Sequence, residues 1–323
     1  MVAAPVPESD PVVVVADPID KDAVDQLSNA PCQVVDATAG GPALQAVLPR
    51  AWALIVRSRT KVSAEMIGKA PALHLVARAG VGVDNIDVKA ATARHVLVVN
   101  APTAATTSVA ELTVGFYLLL VRDLVPQIAA TKQGEWVRGQ NRGELAYKTV
   151  GFIGYGRIAR EVARRLEPFG VHTLAYDPYV TSSVDRTTLT SLDDLLAQAD
   201  IVSVHAALTE ENRHLINAER IARMKPGAFL VNVARGALID ETALLAALDS
   251  GHLGAAALDV FEVEPPTRTE LLRHPRVIPT PHLGASTREA QRRAGLQVVE
   301  EVVRALKGEP LTALVNPEGS STR

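Results

Sequence analysis

The sequence predicts an α/β protein built as two doubly wound, open parallel-sheet domains. Three observations carry this prediction: a length of 323 residues, two successive series of short β-branched runs separated by helix-compatible segments, and a glycine-rich turn that opens the second series. A chain of this length exceeds what one hydrophobic core usually organises, so two compact units are the default expectation. Hydrophobic residues make up 47% and charged residues 21%, the balance of a folding, soluble chain. The 33 Lys+Arg against 36 Asp+Glu leave a formal net charge of -3. No global field would draw in nucleic acid or an anionic membrane, so neither is expected as a partner, and an anionic ligand must be caught locally.

The opening MVAAPVPESDP lacks a basic start and a long apolar core, and Pro5, Pro7 and Pro11 break it, so it does not read as a signal peptide. The first series of strand candidates is Val12 to Ala16, Gln33 to Asp36, Leu54 to Arg57, Leu73 to Ala77 and Val96 to Asn100. Continuous apolar runs of this length suit parallel strands covered on both faces. Lys21 to Leu27 and Ala64 to Lys69 are helix-compatible and complete a βαβ alternation. Cys32, the single cysteine, excludes an intrachain disulfide and a multi-cysteine metal site; it reads as a small apolar residue in a reducing, cytoplasmic setting, and no metal is expected. Leu112 to Val121 is about half the roughly 20 residues that span a bilayer and reads as a buried helix.

The second series is Thr149 to Ile153, His172 to Tyr176, Ile201 to His205, Phe229 to Val233, Ala255 to Leu258 and Val277 to Thr280. Six strands spaced by helices are what a Rossmann-type sheet requires. Ile158, Val162, Leu166 and Phe169 fall at helical spacing after the glycine turn, and Ser191 with Asp194 makes a capping pattern ahead of Leu195 and Leu196. Arg288 to Leu306 is amphipathic and lies beyond the last strand, so a return to the first domain is expected. The domain boundaries are then 1–100 with 288–323, and 101–287, with a loose tail from Pro317.

The strand Thr149 to Ile153 runs directly into Gly154-Tyr155-Gly156-Arg157-Ile158-Ala159. The first glycine permits a tight turn, the second lets backbone approach a pyrophosphate, and the third position must be small for helix to meet strand. The helix beginning near Arg157 and Ile158 offers unpaired N–H groups and a partial positive charge to phosphates. Asp177 ends the next strand, 21 residues after Gly156. A carboxylate there can accept both ribose hydroxyls and would repel a 2′-phosphate, which favours NAD over NADP; the alternative is that Asp177 caps a turn before Pro178.

Four further segments carry a resemblance: Arg78-Ala79-Gly80-Val81-Gly82-Val83-Asp84-Asn85, Val231-Asn232-Val233-Ala234-Arg235-Gly236, Leu258-Asp259-Val260-Phe261-Glu262-Val263-Glu264-Pro265-Pro266 and Pro281-His282-Leu283-Gly284-Ala285-Ser286-Thr287. In this order, and across nearly the whole chain, they resemble the D-isomer-specific 2-hydroxyacid dehydrogenases, most of all the branch that oxidises phosphoglycerate. The resemblance implies a flavodoxin-like substrate domain beside the Rossmann-type one, and a triad of Arg235, Glu264 and His282. Arg235 would hold the substrate carboxylate with its forked donors. His282 would take the hydroxyl proton on oxidation and return it on reduction, with Glu264 orienting the ring and favouring its protonated form. His205, Ala206, Val233, Ala234 and Gly284 would line the cofactor. Asp259 either contacts the nicotinamide side or is a buried structural carboxylate.

The glycine-rich Gly80-Val81-Gly82 offers a backbone concavity for a carboxylate, expected to face Arg235. By resemblance, Arg57 and Arg78 are the phosphate ligands; read by themselves they are solvated loop arginines. The implied reaction is oxidation of 3-phospho-D-glycerate to 3-phosphohydroxypyruvate with NAD, a step of serine biosynthesis. Within the same class, the alternative is a glyoxylate or hydroxypyruvate reductase. An NAD-sensing corepressor-like binding protein is the alternative from another class, and a formate dehydrogenase is disfavoured because that chemistry uses glutamine where Glu264 stands. Two departures matter: Ala206-Ala207 replaces a hydroxyl that family members often carry, and the sequence stops at Arg323 without room for a serine-sensing domain, so serine feedback is not expected unless the sequence is part of a longer chain. Trp136 and the Leu112 to Val121 helix suggest a homodimer or homotetramer, in which Arg138 of one subunit would add a charge to the substrate site of another.

Overall fold

In a computed structural model the protein is described over residues 10–136, 138 and 143–320; the opening nine residues and the last three of the tail read above as loose lie outside the described residues. The chain divides into two compact units, residues 1–105 with 285–323 and residues 106–284, where the sequence places the divisions at 100 and 287.

The first unit holds a five-stranded sheet of β1 (Val12–Val15), β2 (Gln33–Asp36), β3 (Ala51–Val56), β4 (Leu75–Arg78) and β5 (Leu97–Asn100). All neighbours are parallel and the order is β2-β1-β3-β4-β5, the flavodoxin-like doubly wound order. All six residues of β3 are buried, because helices cover both faces of the sheet and leave neither for water. Alternate residues therefore feed two cores. Val13 and Val15 join Val298, Val299 and Val302 of the helix Arg288–Leu306, whereas Val14 joins Leu44, Leu48 and Ile67 on the other face. The C-terminal helix thus belongs to the first sheet.

The second unit holds a seven-stranded parallel sheet of β6 (Thr149–Ile153), β7 (His172–Tyr176), β8 (Thr188–Leu189), β9 (Ile201–Val204), β10 (Ala228–Asn232), β11 (Leu253–Leu258) and β12 (Val277–Pro279). Its order, β12-β11-β10-β9-β6-β7-β8, is the Rossmann order with the reversal between β6 and β9. The sequence predicts six strands and the structure has seven. Strand β8 escapes the reading because it is two residues long, lies at the sheet edge and pairs only with Leu174 and Ala175, so it needs no apolar run.

Two helices sharpen the sequence reading. The helix after the glycine turn spans Arg157–Leu166 and buries Ala159, Val162, Ala163 and Leu166, but Phe169 does not continue its face. Pro168 turns the chain into a short 3-10 segment, Glu167–Phe169, and leaves Phe169 exposed. The buried helix extends over Thr106–Val121 and places Phe116 and Tyr117 in the core of the second unit. Ser191 caps Leu192–Gln198 by accepting the Asp194 N–H at 3.1 Å. No described helix is long and apolar enough to cross a membrane.

Candidate active site

The carboxyl ends of strands β6, β7, β9, β10, β11 and β12 each lead into a segment with expected site residues. This is the edge at which an open α/β sheet offers a ligand crevice.

After β6, Gly154 has φ +88°, and a Cβ there would lie 2.6 Å from the Ala206 nitrogen and 2.9 Å from the His205 carbonyl carbon. Only glycine lets the turn approach the end of β9 so closely. Gly156 differs: a Cβ on it would meet nothing within 4 Å, so it faces open space at the N-terminus of the helix Arg157–Leu166, with no side-chain cap. An uncapped helix start opening on free space fits a dinucleotide pyrophosphate. Arg157 is exposed and Ile158 half-buried there, while Ala159 is fully buried against the sheet. Asp177, after β7, is tied into the same turn, since Oδ2 accepts the Tyr155 N–H at 2.8 Å and Oδ1 accepts the Tyr179 N–H at 2.9 Å.

His205, after β9, rests its ring near Phe152, with centroids 5.6 Å apart, and its Nε2 lies 2.9 Å from Ser203 Oγ. Burial pushes its pKa down to about 3. A ring so reluctant to charge is a poor general base, which fits the cofactor-lining place expected of it.

Beyond β10, the buried Asn232 shapes the arginine turn: its Oδ1 accepts the Ala234 N–H at 3.0 Å and its Nδ2 donates to the Arg235 carbonyl at 2.9 Å. Arg235 Nη1 donates to the Ala234 carbonyl at 2.7 Å; Val233 is buried and Ala234 half-buried. Asn232 pairs with Leu258 across the sheet, so the Arg235 turn and the segment after β11 leave adjacent strands.

Glu264 and His282 come together. His282 Nδ1 lies 2.8 Å from Glu264 Oε2, and Glu264 Oε1 accepts the Phe261 N–H at 3.2 Å. His282 has φ +55°, a conformation costly for a non-glycine residue, and its N–H donates to the Asp259 carbonyl at 2.9 Å. Asp259 is 1% exposed and holds this segment from beneath: Oδ1 accepts Thr280 Oγ1 at 2.6 Å and the Leu283 N–H at 2.7 Å, and Oδ2 accepts the Gly284 N–H at 2.8 Å. The geometry is that of a buried carboxylate supporting the His282 segment.

In the first unit, Arg78 folds back over the glycine loop. A Cβ on Gly80 would lie 1.9 Å from Arg78 Nη1, while the Asn100 side chain donates to the Val81 carbonyl at 2.6 Å. Val81 is exposed and Gly82 half-buried. Arg57 Nη1 donates to the Pro18 carbonyl at 3.2 Å. A residue that sequence reasoning missed is Asp17, buried just beyond β1, which accepts the Arg57 and Thr60 N–H groups, Thr60 Oγ1 and Arg59 Nε. Burial pushes its pKa up, but those hydrogen bonds outweigh burial and leave it lowered. Its only sequence signal is a carboxylate before Pro18 at the end of a strand.

A sequence-family model described as "D-isomer specific 2-hydroxyacid dehydrogenase, NAD binding domain" matches residues 114–284. Among curated relatives, a D-3-phosphoglycerate dehydrogenase from Mycobacterium leprae is 48% identical over 316 residues, covering 96% of this chain and 59% of that protein. A hydroxypyruvate reductase from Thermotoga maritima is 44% identical over 297 residues, covering 90% of this chain and 97% of that protein. The chain therefore spans 59% of the length of the mycobacterial relative and nearly all of the Thermotoga one. Among solved structures, a glyoxylate reductase from Paecilomyes thermophila superposes with a TM-score of 0.87 at 30% identity, covering 96% of this chain and 99% of that one.

Proposed function

This chain belongs to the D-isomer-specific 2-hydroxyacid dehydrogenases, and from that premise we infer that it oxidises 3-phospho-D-glycerate to 3-phosphohydroxypyruvate with NAD. The observation that carries the reading is the 2.8 Å contact between His282 Nδ1 and Glu264 Oε2. With Nδ1–H donating to the carboxylate, Nε2 keeps its lone pair and accepts the proton of the substrate C2 hydroxyl. Glu264 stabilises the imidazolium formed, and the same proton returns from Nε2 in the reverse direction. Bound NAD would supply the acceptor for the hydride leaving C2.

Arg235 holds the substrate carboxylate and withdraws charge from the reacting carbon's oxygen. Gly156 and the N–H groups at Arg157 and Ile158 hold the pyrophosphate, and Asp177 takes the adenosine ribose hydroxyls. Arg57 and Arg78 are assigned to the substrate phosphate, and Gly80 to Gly82 to its carboxylate. A cytoplasmic homodimer or homotetramer is the expected form.

A hydroxypyruvate reductase is the second reading, favoured by the 44% identity to the Thermotoga relative over 297 residues. The test is a panel of 2-hydroxy and 2-oxo acids, phosphorylated and not, assayed with NAD and NADP. Loss of kcat/KM on the phosphorylated substrate in Arg57→Ala and Arg78→Ala supports the first reading. Unchanged turnover of it, with unphosphorylated 2-oxo acids used better, supports the second.

A further inference from the structure

The Glu264 loop and the segment that follows Arg235 are joined by a reciprocal contact outside the triad. Glu241 begins the helix Glu241–Asp249 and is 6% exposed. Its Oε1 accepts the Glu262 N–H at 2.7 Å, and Glu262 Oε1 accepts the Glu241 N–H at 3.0 Å. Backbone touches backbone between the same segments, since a Cβ on Gly236 would lie 1.8 Å from the Phe261 carbonyl carbon. The next link is the Phe261 N–H, which holds Glu264 Oε1.

This clasp is electrostatically expensive. Burial pushes the Glu241 carboxyl up, the Glu262 N–H pulls it back, and the Glu262 charge raises it again, against the opposing influence of Arg268 and His214. His214 Nε2 lies 3.3 Å from Glu262 Oε1, and Arg268 Nε lies 4.0 Å from Glu241 Oε2. Two carboxylates brought together, Glu241 buried and Glu262 half-buried, are a poor route to stability when apolar packing would serve. What they supply is position.

We propose that Glu241 and Glu262 are positioning residues whose reciprocal hydrogen bonds lock the segment after Arg235 to the Glu264 loop and so hold Glu264 in line with His282 Nδ1. The proposal rests on the reading of Arg235, Glu264 and His282 as the reacting group. Glu241→Ala removes the acceptor for the Glu262 N–H, whereas Glu241→Gln keeps a side-chain oxygen in place. With the acceptor gone, Glu264 loses its register and the Nδ1–H form of His282 loses its partner.

The experiment compares wild type, E241A and E241Q by steady-state kinetics, by NAD affinity, and by the His282 tautomer read from imidazole nitrogen shifts with the ring neutral, assigned against His282→Asn. The expected result is that E241A lowers kcat by about tenfold or more, since small displacements of a reacting group cost that much. NAD affinity stays within about twofold, and His282 moves from the Nδ1–H towards the Nε2–H tautomer; E241Q recovers both properties. If E241A does not fold, Glu241→Asp, which keeps the charge but shortens the reach, takes its place. An unchanged tautomer and kcat in E241A, or an E241Q as impaired as E241A, overturns the clasp. If wild type turns over no 2-hydroxy acid, the functional reading fails instead, and the tautomer comparison alone decides for or against the clasp.

Discussion

Glu264 is held on both carboxylate oxygens, one by the Phe261 N–H at 3.2 Å and the other by His282 Nδ1 at 2.8 Å. The carboxylate therefore faces the imidazole as a fixed acceptor. Glu264→Gln keeps the shape but removes the charge that stabilises the imidazolium, and is expected to lower kcat by about 10²-fold, the low end of what acid–base assistance contributes. Steady-state kinetics on the best substrate of the panel checks this, with NAD affinity unchanged.

Asp259 is a test of support rather than chemistry. In Asp259→Asn one carboxylate oxygen becomes an NH₂ group facing a backbone N–H or a hydroxyl donor, leaving a buried group unsatisfied. A loss of about 1–3 kcal/mol in a urea titration is expected, together with reduced kcat, because the His282 segment hangs from this side chain.

The two glycines of the cofactor turn should separate stability from binding. Gly154→Ala puts a Cβ 2.6 Å from the Ala206 nitrogen at φ +88° and should lower the melting temperature as well as NAD affinity. Gly156→Val points into open space, so the melting temperature should hold while NAD affinity falls about tenfold or more. Calorimetry and NAD titration on both variants read the difference.

His205 makes stability depend on pH. Its folded pKa is depressed from 6.5 to about 3, so between those values the unfolded chain binds a proton that the folded chain refuses. The stabilisation is complete above about 6.5 and is lost as pH falls towards 3, with a slope approaching about 1.4 kcal/mol per pH unit. Urea midpoints measured down that range should fall more steeply for wild type than for His205→Gln.

Asp177 sets cofactor choice. Asp177→Ser removes the charge that would meet a 2′-phosphate, and kcat/KM for NADP should rise while that for NAD falls about tenfold. A ratio that does not move would return Asp177 to a turn cap before Pro178.

The backbone plan was legible because it follows periodicity. Strands at Thr149–Ile153 and His172–Tyr176 and the helix Arg288–Leu306 stand where apolar spacing predicts them. Gly154, Ala159 and Ser191 were readable for the same reason, each being demanded by a local geometry. Thr188–Leu189 was not, since an edge strand of two residues owes its form to its neighbour. Nor were Asp17, Asn232, Glu241 and Glu262. Each acts by accepting or donating hydrogen bonds across segments distant in sequence or by folding a turn back on itself, and a polar side chain carries no periodic mark of that duty.

The measurement that tests the central claim most directly is NADH formation from 3-phospho-D-glycerate by wild type and His282→Asn, with NAD affinity measured on both. The account predicts turnover by wild type, a loss of about 10³-fold in kcat for the variant, and NAD affinities within about twofold of each other. Wild-type turnover retained in His282→Asn, or NAD binding without turnover of any 2-hydroxy acid, would contradict it.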